Sequence, residues 1–305
     1  MYNGTNTKRE DLVREFYEKD AGGGLWEKIQ QGLAATGKSV TTSNREEEES
    51  SSSSPQHKLR LQDLAGVDEF HSRGHQGTLD LCERVAGGIQ SSDTIVDIGC
   101  GLGGTARHLA SAYEATVTGI DLTQEYVEVG NELTRQLGLG DKVHLVQGNA
   151  LDLQFPNNVF DLAFTVHCQM NIADKETFYQ EIHRVLRPGG RLVFHDVFRG
   201  ETPENPCYPC PWAETENLSH LVTEARARKL VESIGFAISS WMDQTPQSVV
   251  WFQSTMAKMA QRTSPSPLGI HLVMGKTAKQ KIQNHLSNCE RGSTALVMGV
   301  LTKYS

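Results

Sequence analysis

A chain of 305 residues with 38% hydrophobic content can bury a sizeable core and is long enough for a domain with elaborations. Its 29 basic and 37 acidic residues leave a net charge of −8, which gives no general electrostatic pull toward nucleic acid or an anionic membrane surface. No run approaches the ~18 consecutive apolar residues of a membrane span, and the start MYNGTNTKREDLVREFYEKD has no apolar signal core. The expectation is a cytoplasmic protein with neither nucleic acid nor membrane as partner.

Residues 9 to 31 set Leu12, Val13, Phe16, Tyr17, Leu25, Trp26 and Ile29 among charges, the pattern of two short amphipathic helices broken at Gly22, Gly23 and Gly24. Residues 1–40 thus read as an N-terminal helical cap, either over a cleft or simply packed on the core. Residues 41–57 turn abruptly acidic and serine-rich; four glutamates followed by five serines bury no apolar area, so a disordered linker is expected. From Lys58 to Gly88 the pattern is helical again, and inside it lies the unusual run Asp68-Glu69-Phe70-His71-Ser72-Arg73-Gly74-His75-Gln76-Gly77-Thr78.

Thr94 to Thr105, TIVDIGCGLGGT, reads as a buried strand, a tight glycine turn and the start of a helix. Glycine suits a turn where a Cβ would hold the backbone away from a ligand. Beyond it helices and strands alternate: helix 106–113, strand 115–120 ending on Asp121, helix 124–137, strand 142–147, strand 159–166, helix 175–186, and strand 191–196 after a Pro188-Gly189-Gly190 turn. Such alternation implies right-handed crossovers and a doubly wound parallel sheet. Past Asp196 come a proline- and aromatic-rich loop to Trp212, a helix over 218–234, a strand near 236–242, mostly helical material over 246–288, and a strong strand at 294–302. The helical insertion is a candidate lid or dimer contact, and a homodimer is one assembly left open.

Gly99, Gly101 and Gly104 satisfy G-x-G-x-x-G, so a dinucleotide is the first ligand to weigh. Asp97 argues otherwise, because an anion beside a pyrophosphate is badly placed whereas it suits a cationic amino-acid moiety. The Arg187-Pro188-Gly189-Gly190 turn likewise has no part in the dinucleotide fingerprint.

Together VDIGCGLGG, GIDL, GNALDLQFPNNVFD and RVLRPGGRLVFHD resemble the class I methyltransferases that use S-adenosylmethionine, over about residues 90 to 200. The resemblance implies a Rossmann-like, doubly wound, mostly parallel sheet of seven strands, the last antiparallel, in a domain of residues 58–305 with core 90–200 and substrate or lid elements 200–290. It implies S-adenosylmethionine as cofactor. Asp97 and the backbone at Gly99 and Gly101 would hold its methionine end, Asp121 with Leu122 its ribose, and Asn149, Ala150 and Leu151 its adenine. His167 after the fourth strand and His195 in the fifth each lie near a strand's carboxyl end, where ligands bind in open α/β sheets; a buried structural histidine is the plain alternative for each. A capping or turn role is the plain alternative for both aspartates.

The words DEFHSRGHQGT, HCQMNIADKETFYQEIHRVLRPGG, HDVFRG and YPCPWA further resemble the sarcosine and dimethylglycine N-methyltransferase branch. This implies a small methyl acceptor bearing a carboxylate, a betaine-like product and a place in osmolyte biosynthesis. Methyl transfer from a sulfonium needs orientation and exclusion of water more than proton transfer, so no general base is assigned to His167 or His195. Arg73 is the leading carboxylate clamp and Arg199 the second; Asn171 would supply an orienting amide. Tyr208 and Trp212, with Tyr17 from the cap, would offer aromatic faces to a cationic product. The alternatives are S-methylation of a small thioether acid to a sulfonium osmolyte, and a catalytically idle methyltransferase fold used for binding. No metal site is expected: Cys207 and Cys210 lack further ligands at suitable spacing, and the six cysteines read as reduced thiols.

Overall fold

The computed structural model describes residues 4–21, 24–38, 40, 59–85, 87–264 and 266–304, with side chains described from residue 10. The expected linker 41–57 lies outside the described residues. One seven-stranded sheet organises the chain, in the order β3-β2-β1-β4-β5-β7-β6. Its strands are β1 (Thr94–Ile98), β2 (Thr116–Asp121), β3 (Val143–Gln147), β4 (Phe160–Val166), β5 (Leu186–Arg199), β6 (Phe236–Asp243) and β7 (Thr294–Lys303). The first five run parallel, and β7 enters antiparallel between β5 and β6. Central strands covered on both faces read as unbroken apolar runs, which is why Ile95, Val96, Leu162, Ala163 and Phe164 are all buried.

On the face that carries α4 (Gly74–Glu83) and α5 (Gly104–Tyr113), Leu81, Ala106 and Leu109 pack on Ile95, Val117 and Phe164. On the opposite face α7 (Lys175–Val185) and α8 (Glu224–Ile234) bring Phe178, Ile182 and Val231 against Val96, Leu192 and Phe194. α6 (Gln124–Gln136) also joins a third cluster, in which Tyr126, Val129 and Leu133 meet Leu25, Ile29 and Leu33 of α2 (Leu25–Ala35) and Leu64 of α3 (Leu61–Asp68). The N-terminal α1 (Gly4–Ala21) packs along the short α10 (His271–Met274). The C-terminal insertion is completed by α9 (Thr245–Ala260) and α11 (Ala278–Glu290).

Two expectations change. Pro188 to Gly190 does not precede the strand as a turn: β5 is continuous from Leu186, and the expected turn is a bulge within it where the register jumps from Phe160–Leu186 to Leu162–Arg191. The expected helix over 218–234 begins only at Glu224, because residues before it pair with other backbone: His220 donates to the Met170 carbonyl at 2.8 Å and Arg199 to that of Val222 at 2.9 Å. Thr223 then caps the helix through its hydroxyl. Among the described residues no helix is long and apolar enough to cross a membrane.

Candidate functional site

A cavity of about 1350 Å³, counting its solvent-open mouth, lies at the carboxyl ends of β1, β2, β3 and β4, where open α/β sheets bind ligands. The turn after β1 forms its floor. The Gly99 and Cys100 amides both donate to the Ile120 carbonyl, at 2.8 and 3.0 Å, and the Gly101 amide donates to Asp121 Oδ2 at 2.8 Å. Asp121 Oδ1 accepts from the Thr123 amide at 2.9 Å. The carboxylate at the end of β2 is thereby fixed against the glycine turn with lone pairs to spare.

Asp97 is buried, and its Oδ2 has no hydrogen-bond partner among the described residues. Burial first, and the Asp121 charge second, push its carboxyl up to about 7. A buried carboxyl of this kind is an incomplete arrangement, because a desolvated anion needs a compensating cation. At Gly101 a Cβ would meet no protein atom within 4 Å, so the space it would enter is open to a ligand. An orphaned acid beside an open glycine cradle fits a ligand whose amino-acid end is cationic, as the methionine end of S-adenosylmethionine is.

Beyond β4 the chain turns with His167 at φ 50°. Asp196 of β5 holds that turn: its Oδ2 accepts from the Cys168 and Gln169 amides at 3.0 and 2.9 Å, and its Oδ1 from the Val197 amide at 2.8 Å. His167 and His195 face each other with ring centroids 4.9 Å apart, and His71 lies 6.1 and 6.3 Å from them. Burial pushes both His167 and His195 well below the usual imidazole range. His71 presents Nε2 to Glu69 at 2.8 Å and Nδ1 to the Ser72 carbonyl at 3.2 Å. Burial pushes Glu69 up, but hydrogen bonds from His71, His75 and Thr78 outweigh it and hold the carboxyl at about 2.

Helix α1 roofs the cavity with Glu10, Val13, Arg14 and Tyr17, one face at three- and four-residue spacing. Tyr17 donates to Asn171 Oδ1 at 2.9 Å, and Asn171 Nδ2 donates to the Trp212 carbonyl at 2.7 Å. Asn149 donates to Glu10 Oε2 at 2.9 Å.

The cavity brings together Asp97, Gly99, Gly101, Asp121, Leu122, Asn149, Ala150, Leu151 and His167, and also Tyr17 and Asn171. Four expected substrate residues lie elsewhere. Arg73 is spent on Asp80 and on Gln244 Oε1, the latter at 2.9 Å. Arg199 donates to the Ser293 and Glu204 carbonyls, both at 2.7 Å. Trp212 is buried, with its indole N–H on Ser219 at 2.9 Å and its ring against His285, and the half-buried Tyr208 packs with it in the same cluster outside the cavity wall. Glu10, Arg14, Phe70 and His71 line the cavity unforeseen. The spacing from Glu10 to Tyr17 carried a signal for the first two, and Phe70 and His71 sit in the run from which only Arg73 was chosen. Among the described residues no three His, Cys, Asp or Glu side chains are arranged to hold a metal, and Cys207 and Cys210 are free thiols.

Residues 96–194 match the family model described as a methyltransferase domain. The chain is similar to sterol 24-C-methyltransferase erg6 of Aspergillus fumigatus, 26% identical over 185 residues, covering 58% of this chain and 49% of the relative. It is also similar to ajmaline N-methyltransferase of Rauvolfia serpentina, 29% identical over 191 residues, covering 61% and 57%. It thus spans about half the length of these curated relatives. Its fold is shared with phosphoethanolamine N-methyltransferase 2 of Haemonchus contortus, at TM-score 0.65 and 17% identity over 96% of this chain and 61% of that one. A protein of Galdieria sulphuraria assigned as a sarcosine dimethylglycine methyltransferase shares it at TM-score 0.62 and 18% identity, over 75% and 86%. The seven-stranded fold, the acid-and-glycine cradle and the matched domain model place residues 96–194 as a methyltransferase domain of the class I, S-adenosylmethionine-dependent kind.

Proposed function

We propose that the protein methylates a small amino-acid-like acceptor at a tertiary nitrogen, of the sarcosine and dimethylglycine type, giving a permanently cationic, betaine-like product. The observation that carries this reading is the acceptor end of the cavity, where among the described residues neither lining imidazole is poised as a base. Burial makes the His167 imidazole a poor proton acceptor, and His71 spends both ring nitrogens on Glu69 and the Ser72 carbonyl. A phenol or alcohol acceptor gains from a base in the transition state. A tertiary amine attacks through a lone pair and has no proton to lose.

Bound S-adenosylmethionine supplies a methyl group on a sulfonium. Asp97 and the Gly99–Gly101 turn hold its amino-acid end, Asp121 with Leu122 accepts from its ribose hydroxyls, and Asn149, Ala150 and Leu151 frame its base. Tyr17 and Asn171, already hydrogen-bonded to each other, orient the acceptor, and Phe70 gives the cationic product an aromatic face in place of Tyr208 and Trp212. Arg14 is the one guanidinium lining the cavity among the described residues; it is ion-paired with Asp11 at 2.8 Å and Glu18 at 3.8 Å along α1, and takes the carboxylate-clamping role in place of Arg73 and Arg199 by exchanging those part-exposed partners for the acceptor's carboxylate. α1 over the cavity narrows access to small acceptors.

The same base-free, carboxylate-clamping pocket suits a thioether acid. An acceptor panel followed by S-adenosylhomocysteine release tests the reading and separates the two. Dimethylglycine should turn over faster than a methylthio carboxylic acid, and both faster than a phenol or a sterol. Preferential turnover of the phenol or sterol overturns the proposal, and preference for the thioether moves the methyl from nitrogen to sulfur.

A further inference from the structure

The amino-acid end and the ribose of the cofactor have their partners on the sheet. The base would lie beyond Asp121, beside Leu122 and the Asn149–Leu151 segment. There the roof adds a group from outside the methyltransferase domain: Glu10 of α1 reaches Asn149 with Oε2 at 2.9 Å, while its Oε1 is buried against the cavity with no hydrogen-bond partner among the described residues. A buried carboxylate oxygen left without a donor is a net loss of hydrogen bonding relative to water, so a donor in the slot is the simplest way to complete it. Purine bases differ at that edge. Adenine carries an exocyclic amine, a donor, where hypoxanthine carries a carbonyl, an acceptor.

We propose that Glu10 reads the adenine amine of the cofactor through Oε1, so that the N-terminal helix is a specificity element for the base. The same helix carries Arg14 and Tyr17 one and two turns further on, at the acceptor end. The inference rests on the placement of the base beyond Asp121.

Calorimetry with S-adenosylhomocysteine and with its deaminated analogue S-inosylhomocysteine tests it without catalysis. The wild-type protein should prefer the adenosyl compound at least about tenfold, the value of one charge-assisted hydrogen bond. Glu10→Ala should bring the two affinities within about threefold of each other, mainly by weakening the adenosyl compound. Glu10→Gln, whose amide can turn a donor to the inosine carbonyl, should narrow the preference from the other side. A wild-type preference retained in either variant overturns the assignment. Asp121→Asn separates the two layers, since it should weaken both compounds alike. An Asp121→Asn protein that binds both as tightly as wild type overturns the placement of the base, and the role of Glu10 with it.

Discussion

The glycines of the turn after β1 are glycines for different reasons. A Cβ at Gly99 would sit 2.6 Å from Cys168 Sγ, one at Gly103 2.7 Å from Leu145, and one at Gly104 2.5 Å from the Asp68 carbonyl. Gly99 and Gly101 both line the cavity, but only at Gly101 is the space a Cβ would enter clear of protein atoms, so the ligand-contact explanation of the motif holds at that position and close packing explains the others. Asp97, not the glycine spacing, distinguishes this turn from a dinucleotide site. Its carboxyl lies near 7 in the unliganded protein and must be ionised to compensate a cationic ligand. The sign follows: affinity for S-adenosylmethionine rises as pH rises toward about 7, by up to tenfold per unit, and levels off above it. Asp121, Glu69 and His71 also face this group, so the substitution is needed to assign the titration. Calorimetry between pH 5.5 and 8 should show Asp97→Asn binding weakly with a nearly flat profile. If that variant keeps the wild-type slope, the titrating group is another one.

Among the elements, the sheet and its crossover helices were legible because each rests on local pattern: apolar runs such as Ile95 to Ile98, a glycine turn, then amphipathic helices. The roof was legible only as two helices at residues 9–31, since what it covers depends on contacts far along the chain. Gly32 of α2 and Gly66 of α3 show why. A Cβ on Gly32 would lie 2.4 Å from the Pro267 carbonyl, and one on Gly66 2.7 Å from that of Leu268. These helices thus receive the backbone of a segment some 200 residues away, which continues into Val273 on the cavity wall. For the same reason Arg73 could not be ranked correctly: its partners are Asp80 and Gln244, and only the fold puts Gln244 there. Gly66→Ala gains helix propensity but forces a backbone contact apart, so it should destabilise by about 1–3 kcal/mol. Gly140→Ala, where no atom lies within 4 Å, should be close to neutral. Urea unfolding of both variants checks this, and equal midpoints would mean that the docked segment yields freely.

At the scale of the molecule, function requires a roof built from the N-terminal helices and the C-terminal insertion to stay registered on a sheet that holds the cofactor. Apolar contact supplies most of the adhesion, and a buried ion pair ties α3 to α5 beneath it. Arg107 of α5, fully buried, donates to Asp68 at the end of α3 at 2.5 Å, to the Gly130 carbonyl at 3.0 Å and to Thr134 at 3.0 Å. Asp68 also lines the cavity. Burial pushes its carboxyl up against the opposing pull of Arg107, the mark of a pair whose desolvation is costly and whose partners are needed together. Removing one partner strands the other in the interior, at about 3–5 kcal/mol, whereas replacing both with apolar side chains of similar size recovers much of that loss. Asp68→Leu and Arg107→Met should each be destabilised on that scale, and the double variant should be more stable than either. Denaturant unfolding of the four proteins closes the cycle. Strictly additive losses would show that roof and sheet are held by packing alone, with the ion pair incidental to how the cavity is closed.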